Sequence, residues 1–307
     1  MRAVGRVSAY QWQLLAMLAP YLLGLLALVG VPALLAAPIA FTRFDALSPP
    51  VPVGLDNFAE MLADPQFRSG LGESLLLVAV AVPLRVGGAL ALALLLQARQ
   101  RGFTLLRGLA YLPTILPDVA YALVWLYLLN PLYGPLSSLS QIFAGGEHEG
   151  TLPGTTPGVW LSNPQAAQVA VMLMLLFTVG EGFVLLLATL QEIPPDLYEA
   201  AALDGAAGDQ QVRYITIPLL APSLLLLTLR DTIFSFQASF VAAVIVTRGG
   251  PHYATTYLPY WIYQNATEFS RFGYAAAMTW VLYAITAVII VLLFRLARRW
   301  REVQYVG

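Results

Sequence analysis

Six stretches of this chain stay apolar for longer than an ordinary buried helix requires. They run at about 13–41, 71–98, 106–130, 166–190, 217–246 and 273–297. A helix crosses the hydrocarbon of a bilayer in roughly 20 residues. Away from water every backbone N–H and C=O must be satisfied within its own segment, which selects helix for runs as rich in Leu and Ala as these. Only 11% of the 307 residues are charged and 59% are hydrophobic, whereas a soluble domain carries about 25% charged residues. One aqueous core cannot hide that much apolar surface, so lipid must cover part of it. The expected fold class is therefore all-α, a polytopic membrane protein with six transmembrane helices. The first run exceeds the roughly 7–15 apolar residues of a cleaved signal peptide, so it reads as a span, with Pro32 and Pro38 expected to kink or end it.

The same composition excludes several functions. A net charge of -1 argues against nucleic-acid binding. The chain has no cysteine, which removes disulfides, thiol catalysis and cysteine metal sites. His148 and His252 are far apart in sequence and suggest no metal site, and no nucleophile–base pair suggests a catalytic one. His148, flanked by Glu147 and Glu149, reads as a solvated loop residue.

Arginine placement gives an orientation, since all sixteen basic residues are arginine. With both termini inside, Arg2, Arg6, Arg99, Arg101, Arg107, Arg213, Arg295, Arg298, Arg299 and Arg301 are cytoplasmic. Arg43, Arg68, Arg248 and Arg271 are outside. The organisation that follows is a cytoplasmic N-terminus (1–12), a six-helix domain (13–298) and a cytoplasmic C-terminus (299–307). External loops fall at about 42–70, 131–165 and 247–272, and a polar cytoplasmic loop at about 191–218. Tyr253, Tyr257, Tyr260, Trp261 and Tyr263 of the last external loop suit a membrane–water interface.

The 191–218 loop carries its own local logic. Pro194 and Pro195 close off the preceding helix. Asp196 and Glu199 have the spacing of a capping box. Ala200, Ala201, Ala202, Ala206 and Ala207 predict a short helix of little side-chain bulk, able to lie deep in a partner's groove. Gly205 and Gly208 permit a sharp turn, and Pro218 falls in the first turn of the next span.

Glu199-Ala200-Ala201, then Gly205 after three residues, then Ile215 and Ile217-Pro218, resembles the EAA loop of membrane subunits of bacterial ABC importers. Shorter landmarks extend the resemblance to the maltose- and glycerol-phosphate-like, carbohydrate-type permeases. They are Val53-Gly-Leu-Asp-Asn-Phe58, Arg107-Gly-Leu-Ala-Tyr-Leu-Pro113, and Trp125 followed by Asn130-Pro-Leu-Tyr-Gly134. Trp160-Leu-Ser-Asn-Pro164, Thr247-Arg-Gly-Gly-Pro251 and Gly273-Tyr-Ala-Ala-Ala277 complete the set, in family order. The chain departs from the pattern at Ile217, where leucine is usual, and at Val241, where relatives often carry an acid.

The resemblance implies the type I importer transmembrane fold in the bacterial cytoplasmic membrane. It implies half of a pore for a sugar or related polyol, completed by a second permease subunit. Two copies of a cytoplasmic ATPase would dock through the EAA loops at Glu199, Ala200, Ala201, Asp204, Gly205, Ile215 and Pro218, and an extracytoplasmic binding protein would deliver substrate. ATP and magnesium would sit on the ATPase partners, since this chain has no Gly-rich phosphate loop. A permease for a non-sugar solute and an ion-coupled secondary transporter are the alternatives.

Two residue sets are candidates for the transport path. Ser235, Gln237, Ser239 and Phe240 on the fifth span offer hydroxyl, amide and aromatic groups that suit a sugar, and the resemblance implies that this helix lines the path. The same polar groups also suit bonding between helices. Arg85, Asp118, Glu181, Arg230 and Asp231 fall near span midpoints, where a charge is costly and faces protein or a wet cavity. Depth alone predicts Arg230 paired with Glu181 or Asp118, and Arg85 with the remaining carboxylate. Asp231, on another face from Arg230, is expected at a wet, gating position.

Overall fold

A computed structural model describes residues 9–98, 102–130, 132–136 and 160–304. His148 and most of the 131–165 loop lie outside these residues. Two compact units form, one from residues 1–63 and 262–281, the other from 64–261 and 282–307.

In the first unit, α1 (Ala9–Leu25) passes through a π turn (Leu26–Gly30) into α2 (Val31–Ile39). Proline explains the π turn. Pro32 has no N–H and crowds the carbonyl four residues back. The residue before it, Val31, donates five residues back to Leu26 O, which lets the helix continue through the proline. Pro32 therefore neither ends nor sharply breaks the span. A short hairpin follows, β1 (Thr42–Arg43) antiparallel to β2 (Val51–Pro52), with Thr42 opposite Pro52. Asn57 of α3 (Asp56–Ala63) then donates from Nδ2 to Ala40 O at 2.8 Å and Thr42 O at 2.9 Å. Phe58 packs on Phe41, ring centroids 5.2 Å apart. The Gly-Leu-x-Asn-aromatic segment is thus a staple that fixes the exit of the first span.

The second unit is helical around α4 (Pro65–Leu96), whose N-terminus is capped by Asp64 Oδ1 accepting from Gln66 N at 2.8 Å. Its far end is closed from outside the helix: Arg107 donates to Leu96 O through Nη2 at 2.6 Å and to Ala98 O at 3.0 Å. These carbonyls have no partner within the helix, and a cation there also suits the helix dipole.

The third expected span is not one straight helix. α5 (Phe103–Ile115) and α6 (Asp118–Leu128) meet at 101°. Leu116 precedes Pro117 and is extended, with ψ 135°. Clash with the proline ring drives the preceding residue out of the helical region. The other spans are helices long and apolar enough to cross a membrane: Trp12–Ile39, Pro65–Leu96, Pro164–Gln191, Gly208–Thr247 and Phe272–Ala297. With the bent pair counted as one span they make six. The fourth is built of α7 (Pro164–Leu176) and α8 (Gly180–Gln191). The break between them fits α8 tightly against α5. A Cβ on Gly180 would lie 2.8 Å from Ala110 O and 2.9 Å from Tyr111 Cα, so only glycine allows this approach.

Two apolar clusters hold the second unit together. Ala89, Ala93, Leu96, Phe183, Leu186, Leu190, Leu220 and Leu227 join α4, α8 and the fifth span. Leu77, Ala81, Tyr121, Trp125, Ala170, Val171, Met174, Ala242 and Val246 form the other, together with Tyr257 and Tyr260. The loop tyrosines are therefore not all interfacial. Tyr257 and Tyr260 are core residues, and burial pushes the Tyr257 hydroxyl pKa up, helped by Glu73. The Thr247–Pro251 turn holds them in place. Thr255 Oγ1 donates to Gly250 O at 2.7 Å, and Thr256 Oγ1 donates to Gly249 O at 2.9 Å.

Candidate functional site

The polar loop after α8 forms α9 (Pro195–Leu203), none of whose residues is buried. Pro194 occupies the N-cap position and no side chain caps the helix, so the expected Asp196–Glu199 capping box does not form. Proline at the first helical position has already removed one donor that would need a cap. Asp196 lies in the first turn instead, where its charge favours the helix dipole. The helix also stops short of Ala206 and Ala207. Gly205 adopts φ 84°. Gly205 N donates to Ala202 O at 3.1 Å and Ala206 N to Ala201 O at 2.9 Å. This pair of bonds is a Schellman ending, which needs a left-handed residue where Gly205 stands. Nothing lies within 4 Å of a Cβ built there, so backbone conformation rather than space demands the glycine.

Glu199, Ala200, Ala202, Asp204 and Gly205 are all exposed. So is Leu203, at 91%, an apolar side chain at the tip of a polar loop. Sequence reasoning missed Leu203; its signal is a lone large apolar residue between Ala202 and Asp204, with no apolar residue bulkier than alanine at helical spacing. Ile215 and Pro218 are half-buried. Beyond Gly205, α10 (Gly208–Gln211) leads through a second π turn (Val212–Thr216) into α11 (Ile217–Val241). Ile217, immediately before Pro218, donates to Val212 O, as Val31 does before Pro32. Tyr198 on α9 and Thr216 in this π turn share a hydroxyl–hydroxyl bond of 2.9 Å. The loop helix is therefore tied directly to the fifth span.

Four of the five candidate charges, Arg85, Glu181, Arg230 and Asp231, come together. Arg230 forms an ion pair with Glu181. Asp231 is not at a wet position. Its side chain is 5% exposed and lies 3.8 Å from Arg85 Nε, while its Oδ1 accepts from Arg230 Nη1 at 3.2 Å. Helix phase explains the difference: the residue after Arg230 is turned about 100° around the axis, towards α4 rather than towards the open face. Arg85, with a side chain 2% exposed, donates to Thr178 O at 3.1 Å and stacks on Phe234 at 4.6 Å. Its Nε and Nη1 have no hydrogen-bond partner among the described residues. Asp118 does not pair with Arg85. It is exposed just after the Leu116-Pro117 break, beside a polar cavity of about 60 Å³ that Arg85, Glu181, Arg230 and Thr178 also line.

The Ser-x-Gln-x-Ser stretch divides by the same phase rule. Ser235 and Ser239 are fully buried; Ser239 Oγ donates to Phe236 O at 2.7 Å. Gln237 faces the other way and is exposed, and Phe240 is half-buried. Leu226, Leu229, Arg230, Ile233, Phe234 and Gln237 line a cavity of about 520 Å³ together with Ile290 of α12 (Phe272–Gln304). Only Gln237 of the two serines and the amide reaches this cavity. Among the described residues, no group of acidic or histidine side chains could hold a metal ion.

An exposed Ala-rich helix between two spans, a bent third span and a six-span count make this a polytopic helical membrane protein with a protruding polar loop. The family described as "Binding-protein-dependent transport system inner membrane component" matches residues 84–302. A probable ABC transporter permease protein, YesP of Bacillus subtilis, is 32% identical over 93% of this chain and 90% of its own length. The sulfoquinovosyl glycerol transport system permease protein SmoG of Agrobacterium fabrum is 31% identical over 85% of this chain and 83% of its own. A bacterial ABC transporter structure, from the import of the acidic polysaccharide alginate, shares the fold. Its TM-score is 0.76 at 21% identity, covering 94% of this chain and 96% of that one. The chain belongs to the binding-protein-dependent inner membrane component family of ABC transporter permeases.

Proposed function

We propose that this chain forms half of the translocation pore of an ATP-driven importer for a carbohydrate or related polyol. Its partners are a second permease subunit, two copies of an ATPase and an extracytoplasmic binding protein. ATP and magnesium are bound and hydrolysed on the ATPases. The observation that carries this reading is the loop helix Pro195–Leu203. It is wholly unburied, small along Ala200–Ala202, ended by Gly205 and bonded to the next span through Tyr198 and Thr216. An Ala-rich helix with a protruding Leu203 fits a groove on a partner, and the resemblance of Glu199–Pro218 to the EAA loop makes the cytoplasmic ATPase that partner. The arginine distribution favours a cytoplasmic loop and cytoplasmic termini. Similarity to SmoG supports a carbohydrate-like solute.

Glu199→Lys tests the docking. Glu199 is exposed and makes no side-chain hydrogen bond or ion pair among the described residues, so the subunit should still insert while transport is lost. The reading fails if purified Glu199→Lys complex keeps both ATPase copies and full substrate-stimulated hydrolysis.

A further inference from the structure

The four clustered charges are not equivalent, and their arrangement singles out one position for a ligand. Asp231 is a single carboxylate between two guanidiniums, Arg85 at 3.8 Å and Arg230 at 3.2 Å. That inner triad carries one surplus positive charge. Glu181, from a different helix, neutralises it at Arg230. Arg85 and Asp231 are enclosed, with side chains 2% and 5% exposed, and cannot exchange partners with solvent. Arg230 and Glu181 are 39% and 47% exposed. A guanidinium at this depth does not face lipid, so the open side of Arg230 meets water or protein. Arg230 lines a cavity of about 520 Å³ in which it and Gln237 are the polar groups among Leu226, Leu229, Ile233, Phe234 and Ile290. Its volume is within the roughly 300–1,000 Å³ typical of small-molecule sites. Glu181 also borders the cavity of about 60 Å³ beside Asp118 and Thr178, which has polar lining and room for water, so its carboxylate has a place to move.

We propose that Arg230 contacts an oxyanion group on the transported carbohydrate, and that Glu181 holds that contact while the path is empty. The proposal rests on the pore reading above and names the substrate class. A guanidinium fork pairs with carboxylate, phosphate or sulfonate through two parallel hydrogen bonds. Asp231 keeps the fork oriented from behind, and the incoming anion takes the position Glu181 vacates. Gln237, two turns further along the same face, is placed for the hydroxyl groups of the same molecule.

The test uses the complete transporter in membranes and the absence of native cysteine. Ile233→Cys places a reporter on the cavity wall one turn from Arg230. Its modification by an uncharged thiol reagent is followed with glucuronate or glucose present at matched ionic strength. Glucuronate should slow the reaction and glucose should not. Adding Glu181→Gln should lower the half-protecting glucuronate concentration about tenfold or more, because the internal competitor is gone. Arg230→Gln should abolish protection, and Arg230→Lys, which keeps charge but loses the fork, should weaken it. Equal protection by glucose, or an Glu181→Gln complex with unchanged or weaker protection, overturns the anion contact while leaving the pore reading in place. An Ile233→Cys complex that resists labelling altogether overturns both.

Discussion

Neutralising Asp231 should destabilise this protein far more than neutralising Glu181, although both carboxylates pair with arginine. The Arg85–Asp231 pair lies 3.8 Å apart with side chains 2% and 5% exposed. At an effective dielectric near 20 that separation is worth about 4 kcal/mol of attraction. Asp231→Asn removes it and strands Arg85, whose Nε and Nη1 already have no hydrogen-bond partner among the described residues. Thr178 O and the Phe234 ring remain as its only named compensation. Breaking a buried pair from one side costs about 3–5 kcal/mol. Arg230–Glu181 is different. The two side chains are 39% and 47% exposed, so Glu181→Gln should cost about 1 kcal/mol or less. The double variant Arg85→Met with Asp231→Asn returns the cluster to one arginine against one glutamate and should recover most of the loss. The assay is resistance of the detergent-solubilised complex to heat and denaturant, with membrane yield as a second readout. Equal destabilisation by Glu181→Gln and Asp231→Asn would refute the exposure argument. A double variant as unstable as the sum of its singles would refute the pairing itself.

Gly205→Ala should weaken the end of the loop helix by about 1 kcal/mol, since a left-handed residue with a Cβ is strained even in open space. Gly205→Asn should cost less, and hydrogen exchange at Ala206 reads both. Asn57→Ala removes two bonds and leaves Ala40 O and Thr42 O unsatisfied, so about 2–3 kcal/mol of stability should go; Asn57→Asp, setting a carboxylate against two carbonyls, should be worse by chemical denaturation. Ser138→Cys should react with an impermeant thiol reagent on intact cells and Gln211→Cys should not; the reverse pattern would invert the proposed orientation. Tyr198→Phe, which loses the bond to Thr216, should keep ATPase docking but lower the solute moved per ATP hydrolysed; unchanged stoichiometry in proteoliposomes would show that the bond transmits nothing.

What was legible in the sequence depended on one-dimensional quantities. Span number follows from apolar run length, and the loop motif from spacing. Both carried the class of protein to the right answer. The errors share a different origin, the angle around a helix axis. Ser235, Gln237 and Ser239 read as one polar strip, yet residues two apart on a helix point nearly opposite ways, so the serines are buried and the glutamine is not. Depth placed Arg85 level with Asp118, but depth does not say which neighbour a residue faces, and Arg85 faces Asp231. The bend in the third span was marked by Leu116-Pro117, but the apolar run continues through it and hides the break. Tyr257 and Tyr260 suited an interface by composition. Only the folded-back turn after Thr247 sends them into the core.

The parts of the site are mechanically connected in a way that favours one route for force. α8 runs from Glu181 to the start of the loop, and the fifth span leaves the loop and continues to Arg230 and Asp231. Phe183, Leu186 and Leu190 on α8 pack with Leu220 and Leu227 on α11, and Thr189 and Ser223 lie in hydrogen-bond reach at 3.3 Å. Between Thr216 and Arg230 the fifth span covers about 21 Å as helix, at roughly 1.5 Å per residue. A displacement of Pro195–Leu203 therefore reaches the ion pair along both of its helices, through Ile193 and α8 on one side and through Tyr198–Thr216 on the other. The enclosed Arg85–Asp231 pair ties α11 to α4 and resists sliding, whereas the half-exposed Arg230–Glu181 contact costs little to open. Shear between α8 and α11 would act on the Thr189–Ser223 contact and on the Arg230–Glu181 ion pair, and Arg230 of that pair lines the cavity. If ATPase docking displaces the loop as proposed, the helices that carry Glu181 and Arg230 are the ones it moves first.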